Sequence, residues 1–256
     1  MQSLSFSHAP FVDRPQNPPR LALPPVKFVV AFSFMSAFTC PRHPLIRRAG
    51  KISNTRIYAF MISFVFSAFK LFPYFMPMRM LSRENTILLI VDVQQKLMPY
   101  IENNKKVIKN ITKLAKFAGI MNIPVIISEQ KNLGSILPEI KSLVPNAIHV
   151  EKEEFSCFDN KDFVKSLGKL KKTDILIAGV ETHICVMQTA LQAMKKYSIQ
   201  IVSDATSSRK SGDAAIAILR MKTERITITT TETAMFEVMK KSSIKEFKDV
   251  LEIVKA

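Results

Sequence analysis

From residue 84 onward the chain alternates short, apolar, β-rich runs with stretches of helical period, and few folds accept that alternation. Strands separated by helix-length crossovers are parallel neighbours, so the pattern predicts an α/β domain built on a mainly parallel sheet. The runs are 86–93 (TILLIVDV), 123–128 (IPVIIS), 147–151 (AIHVE), 174–180 (DILIAGV), 199–204 (IQIVSD) and 225–230 (RITITT). The first is apolar throughout 87–91, before its acid, as expected of a strand covered by helices on both faces. Helices are expected at 103–121, 160–169, 183–196, 211–222, 231–240 and 243–254. In the first, Val107, Ile111, Leu114, Ala118 and Met121 fall on one face; in the helix after the fourth strand, Ile184, Met187, Leu191 and Met194 form the expected buried stripe. Six strands with these crossovers make a three-layer α/β/α sandwich around a Rossmann-like sheet. Such sheets bind ligands at the carboxyl ends of their strands.

The first 83 residues have a different texture. They hold 11 Lys+Arg against one acid, Asp13, together with 12 of the 18 Phe and 10 of the 14 Pro. The chain's net charge of +16 therefore divides into +10 before residue 84 and +6 after it. In 84–256 basic residues are interleaved with acids over helix faces, the ordinary solvated surface. A polyanion partner is thus not called for by the domain, and we expect no nucleic-acid binding. The apolar runs 28–39 and 57–69 are short or broken for a membrane span, which needs about 20 apolar residues. Residues 1–83 read as a basic, Phe/Pro-rich leader that is not a folded domain, the only part of the chain with a claim to membrane contact. A cytoplasmic location is expected for the domain, and an organelle or membrane address only if the leader is genuine. Three cysteines (Cys40, Cys157 and Cys185) without a CxxC pair exclude a disulfide framework, a zinc ribbon and a thioredoxin-type motif. The absence of GxGxxG and of a Walker loop removes the sequence case for NAD or ATP, so no cofactor is expected.

Chemistry is sought at the strand ends. Asp92 closes the first run; an acid there is costly unless paired or used. Cys185 lies in the first turn of the helix after the fourth run, with Thr182 as its expected N-cap. Unpaired N–H groups and the helix dipole at that point favour the thiolate. Lys152 follows the third run, where it can hold a nearby carboxylate ionised and orient a water. Together they suit one scheme: Asp92 takes the proton of Cys185, the thiolate attacks an electrophilic carbon, and backbone N–H groups of the GVETHIC turn receive the oxyanion.

Five segments in this order, LLIVDVQ (88–94), SEQKNLGSILPEI (128–140), KEEFSCF (152–158), GVETHICVMQTAL (179–191) and IVSDATSSR (201–209), resemble the isochorismatase-like cysteine hydrolases. That family includes nicotinamidases and N-carbamoylsarcosine amidohydrolase. The resemblance covers 84–256, is greatest to the isochorismatase domain-containing proteins of unassigned substrate, and implies Asp92, Lys152 and Cys185 as the catalytic residues. It further implies an oxyanion hole from the backbone N–H groups of Glu181 and Cys185, a cis bond between Val180 and Glu181, and a homo-oligomer. Nicotinamidases hold a metal through Asp-x-His and a further His after the second strand. This chain has SEQKNLGS there, so no metal is expected. Glu129 and Gln130 are the polar groups left at that position and are assigned to the substrate pocket. Phe155 and Phe158 are assigned to its apolar wall or to core packing.

Other constellations are weaker. His183 is too close in sequence to Cys185 for the pair to face each other on a helix. His149 reads as a satisfied structural residue, Cys157 as a passive thiol, and Asp204 as a group fixing its own loop. The expected activity is metal-independent hydrolysis of a small amide, carbamoyl or related substrate through a thioester-type intermediate. The alternatives are a non-catalytic binding or scaffold protein on the same fold, and basic-patch binding to nucleic acid or anionic membrane.

Overall fold

The computed structural model describes residues 80–256; the leader runs at 28–39 and 57–69, and Cys40, lie outside the described residues. Six strands form one sheet: β1 (Thr86–Val91), β2 (Val125–Gln130), β3 (Ile148–Lys152), β4 (Asp174–Val180), β5 (Ser198–Ser207) and β6 (Thr227–Thr229). Their order is β3-β2-β1-β4-β5-β6, and every pairing is parallel. The chain winds outward from β1 to β3, then returns to β4 on β1's other side. The carboxyl ends of β1 and β4 therefore flank the topological switch point, where crossovers leave in opposite directions and open a crevice.

The helices are α1 (Asn104–Met121), α2 (Pro138–Lys141), α3 (Lys161–Leu170), α4 (Met187–Ala193), α5 (Ser211–Thr223), α6 (Thr231–Met239) and α7 (Phe247–Lys255). They cover both faces of the sheet, giving the expected three layers. Alternate side chains of β1 point to opposite faces. Leu88 and Ile90 join the core under α1, α6 and α7, whereas Ile87, Leu89 and Val91 join the core under α3, α4 and α5. Residues before 84 also pack: Leu81 is fully buried, its N–H donates to Glu237 Oε2, and Arg83 pairs with Glu246.

Element boundaries differ from expectation where backbone geometry, invisible to periodicity, intervenes. β1 stops at Val91 because Asp92 takes a left-handed φ of 50°. β5 continues to Ser207 across a register shift opposite Ile177 and Gly179. The helix expected at 183–196 instead begins as a π turn over Thr182–Val186, with α4 following. A π turn inserts one residue and rotates the face that follows. The fully buried stripe is accordingly Val186, Ala190 and Ala193, while Ile184, Met187, Leu191 and Met194 are only half-buried. α2 is too short for a periodic signal, and α7 starts later than the predicted residue 243.

Gly179 is the tightest point of the sheet. Its φ is +120°, and a Cβ there would lie 2.1 Å from the Val91 carbonyl oxygen. Only glycine lets β4 bend against β1 beside the crevice. Gly179→Ala is expected to destabilise the domain by roughly 3 kcal/mol or more, measured as a lower urea midpoint against wild type.

Candidate active site

The left-handed turn at Asp92 places its carboxylate behind the end of β1, among groups from β2, β3 and the π turn. Ser128 on β2 stands opposite Val91 in the ladder. Its carbonyl accepts the Asp92 N–H at 3.1 Å, and its hydroxyl donates to Asp92 Oδ1 at 2.8 Å. Lys152 ends β3, opposite Gln130. Its Nζ donates to Asp92 Oδ2 at 2.8 Å and to Gln130 Oε1 at 2.7 Å. Adjacent strands lie about 4.8 Å apart, so the lysine spans two strand spacings; its four-carbon stem provides that reach. Both members of the pair are buried.

Cys185 sits in the π turn, 7% exposed, close enough to the Asp92 carboxylate for each to shift the other's proton affinity. The structure therefore brings together the three residues singled out in the sequence. It also corrects the expected state of the sulfur. Burial pushes the Cys185 thiol well above the ordinary range, the Asp92 charge adds to this, and Lys152 only partly opposes it. The helix-start advantage is outweighed, and the resting group is a neutral thiol. Burial also raises Asp92, against the pull of Lys152 and the hydroxyl of Ser128. For Lys152, burial disfavours the charge, but the Asp92 carboxylate opposes it through its charge and its hydrogen bond, and the ammonium stays protonated.

The turn carrying Cys185 follows a cis Val180–Glu181 bond. Thr182 does not cap the helix: its hydroxyl is paired with Thr206 at 2.9 Å. The two groups assigned to the pocket on β2 both make hydrogen bonds within the protein. Glu129 accepts the Ile136 N–H at 2.7 Å and faces His149 at 3.3 Å, so it fixes the following loop. Gln130 is occupied at both amide ends, accepting from Lys152 and donating to the Glu153 carbonyl at 2.7 Å. It orients the lysine. Phe155 is exposed, whereas Phe158 packs edge-on against Phe163 at 5.3 Å.

The remaining candidates stand apart. His183 turns Nδ1 to Ser208 at 2.9 Å and Nε2 toward Asp213 at 3.9 Å, away from a dyad with Cys185. Asp204 accepts from the Thr231 N–H and hydroxyl at 2.8 and 2.9 Å, tying its loop to the start of α6. Cys157 is fully buried, and burial lifts its thiol from 9.0 to about 11. Among the described residues no group of three or more His, Cys, Asp or Glu side chains is arranged to hold a metal ion. Glu129 and His149 offer two ligand atoms where the nicotinamidase motif needs a set of three, so the residues do not fit that metal.

Two contributors escaped the sequence reading. Ser128 is a polar residue closing an apolar strand. Gln94 is buried, accepts the Gln130 N–H at 2.8 Å and donates to the Gln130 and Gly134 carbonyls. Their signal is a polar side chain where the pattern calls for an apolar one.

Removing one partner of a buried ion pair strands the other, at a cost of about 3–5 kcal/mol, whereas neutralising both is often harmless. Lys152→Met is expected to destabilise by about that amount, and Asp92→Asn with Lys152→Met to recover most of it. Urea unfolding of the two variants checks this.

The isochorismatase domain model matches residues 86–233. Isochorismatase family protein 1A of Dictyostelium discoideum is 33% identical over 179 residues, covering 67% of this chain and 86% of that protein. Isochorismatase domain-containing protein 2 of Danio rerio is 29% identical, over 68% of this chain and 89% of the relative. Among solved structures, a protein described as MAR1 ribonuclease from Caenorhabditis elegans superimposes with a TM-score of 0.66 at 27% identity, covering 70% of this chain and 93% of its own. Sequence, sheet order and family match agree over the same residues: the chain belongs to the isochorismatase family and has its hydrolase fold.

Proposed function

We propose that residues 84–256 form a metal-independent cysteine hydrolase for a small amide, carbamoyl or related substrate. The observation that carries this reading is the buried Asp92 carboxylate, held by Ser128 and the Lys152 ammonium and placed next to the Cys185 thiol. A thiol raised by burial supplies little thiolate at neutral pH. Proton transfer to Asp92 therefore accompanies attack, and a carboxylate made more basic by burial suits that task.

In the first half-reaction the Cys185 proton passes to Asp92 as sulfur bonds to the substrate carbonyl carbon. The carbonyl oxygen takes the displaced electron pair and is received by the N–H groups of Glu181 and Cys185. The Glu181 carbonyl is turned away from this role, accepting from the N–H groups of Ile184 and Val186 at 3.1 and 3.2 Å. Collapse breaks the C–N bond, and the leaving nitrogen takes the proton from Asp92. Water, giving its proton to Asp92, then cleaves the thioester, and that proton returns to sulfur. Lys152 keeps Asp92 ionised in the resting state and, with a third N–H to offer, orients the water. Phe155 supplies apolar wall.

A small substrate suits the surroundings better than a polyanion. Glu151 and Glu153 are exposed on either side of Lys152 at the end of β3, and their charge repels phosphates. The ribonuclease description of the C. elegans neighbour is therefore not carried to this chain. We place the domain in the cytoplasm, with the residues before Leu81 as a leader that sets any other address; N-terminal sequencing of the natural protein tests for it. Among the described residues, no helix is long and apolar enough to cross a membrane.

Cys185→Ala and Cys185→Ser are expected to lower turnover of a panel of small amides and carbamoyl compounds by more than about 1,000-fold. Undiminished turnover in Cys185→Ala overturns the scheme, and no turnover or covalent adduct in wild type moves the reading to a binding protein. We also propose a homo-oligomer through α5, where Ile216 and Leu219 are 68% and 61% exposed on one helical face. Ile216→Glu should then reduce the sedimentation coefficient, and a wild-type monomer refutes it.

A further inference from the structure

The end of β5 and the two residues that follow it do more than close their own loop. Three consecutive residues of the turn carrying Cys185 are each held by a side-chain contact to this segment. The Glu181 carboxylate accepts the Arg209 backbone N–H at 2.9 Å and Arg209 Nε at 3.0 Å on Oε2 and 3.2 Å on Oε1. Thr206 donates its hydroxyl proton to the Gly179 carbonyl at 2.7 Å, so the 2.9 Å contact with Thr182 must be donated by Thr182. His183 meets Ser208 at 2.9 Å. These three contacts span the exits of β4 and β5.

The first contact also carries charge. Glu181 lies one residue before the π turn and four before Cys185, and its side chain is 6% exposed. A buried carboxylate there opposes both the thiolate and the oxyanion, since like charges nearby disfavour ionisation. Arg209 supplies the opposite charge through Nε, although its own side chain is 58% exposed. A surface arginine thus holds a buried acid four residues before the candidate nucleophile. Its length and exposure allow substitution without emptying the core.

We infer that Arg209 is a positioning residue for the nucleophilic turn, holding the Glu181 carboxylate so that it neither displaces the Glu181 N–H nor opposes negative charge at Cys185. The inference rests on the reading of Cys185 as the nucleophile. The other ionisable groups around Cys185 are Asp92 after β1, Lys152 at the end of β3 and Cys157 beyond it; His183 faces Asp213 on α5. None of these groups is hydrogen-bonded to Arg209, whose side-chain contacts are to Glu181.

The test is the rate of Cys185 alkylation by iodoacetamide as a function of pH, followed by mass spectrometry of the full chain, with unfolding midpoints recorded for each variant. Arg209→Met leaves Glu181 charged and uncompensated. Its profile should move to higher pH by about one unit, which is about tenfold in rate at neutral pH. Glu181→Gln combined with Arg209→Met removes the stranded charge and should return the rate to within about threefold of wild type. A merely structural contact predicts the reverse, with the double variant at least as slow as the single one. That result, or a wild-type profile in Arg209→Met, overturns the inference alone. If Arg209→Met does not fold, the double variant decides, because a slow rate in it contradicts charge compensation. Equal labelling of wild type and Cys185→Ala overturns the nucleophile reading and this inference with it.

Discussion

The ion pair between Asp92 and Lys152 is the contact around which the crevice is organised. Taking both charges out of water costs several kcal/mol per ion before their attraction is counted. The structure offsets that cost with directed hydrogen bonds: Ser128 on Oδ1, Lys152 on Oδ2, and Gln130 on the ammonium. Gln94 in turn holds the backbone of Gln130. Three neighbouring strands contribute to one charge-balanced cluster, and each contributes at its carboxyl end. The parallel topology makes that possible, because all six strands finish on the same edge of the sheet.

The cluster changes how the thiol is understood. A cysteine at a helix start reads as an activated thiolate, yet burial and the Asp92 charge act in the other direction and win. The sulfur keeps its proton at rest, next to the group best placed to take it. This links stability to chemistry: the desolvation that makes the pair expensive also makes Asp92 a stronger base. The second layer, from Thr206 to Arg209, restrains the turn itself and balances the one buried acid it contains.

Much of the fold was legible because strand and helix periods are local properties. The run Ile87–Val91 is apolar at every position because both of its faces are covered, and Val107, Ile111 and Leu114 mark one face of α1 because that face is buried. Asp92, Lys152 and Cys185 were legible because each interrupts or follows a strand at the binding edge. The hydrogen-bond partners of Glu129 and Gln130 were not legible. Type and position say that such side chains are polar and near the edge, while their partners, Ile136, His149, Lys152 and Glu153, come from elsewhere in the chain.

The sequence by itself determined the layered α/β architecture, the strand ends on which chemistry can be built, and the family, since these follow from local pattern and ordered segments. Only the tertiary structure decided the protonation of Cys185, the π turn that rotates α4, the commitment of Gln130 to Lys152, and the link from Arg209 to Glu181. Those depend on desolvation and on contacts between residues 22 or more positions apart or on backbone geometry with no periodic signature. Neither burial nor the approach of distant side chains is encoded at one position; each exists only when the strands have been brought side by side.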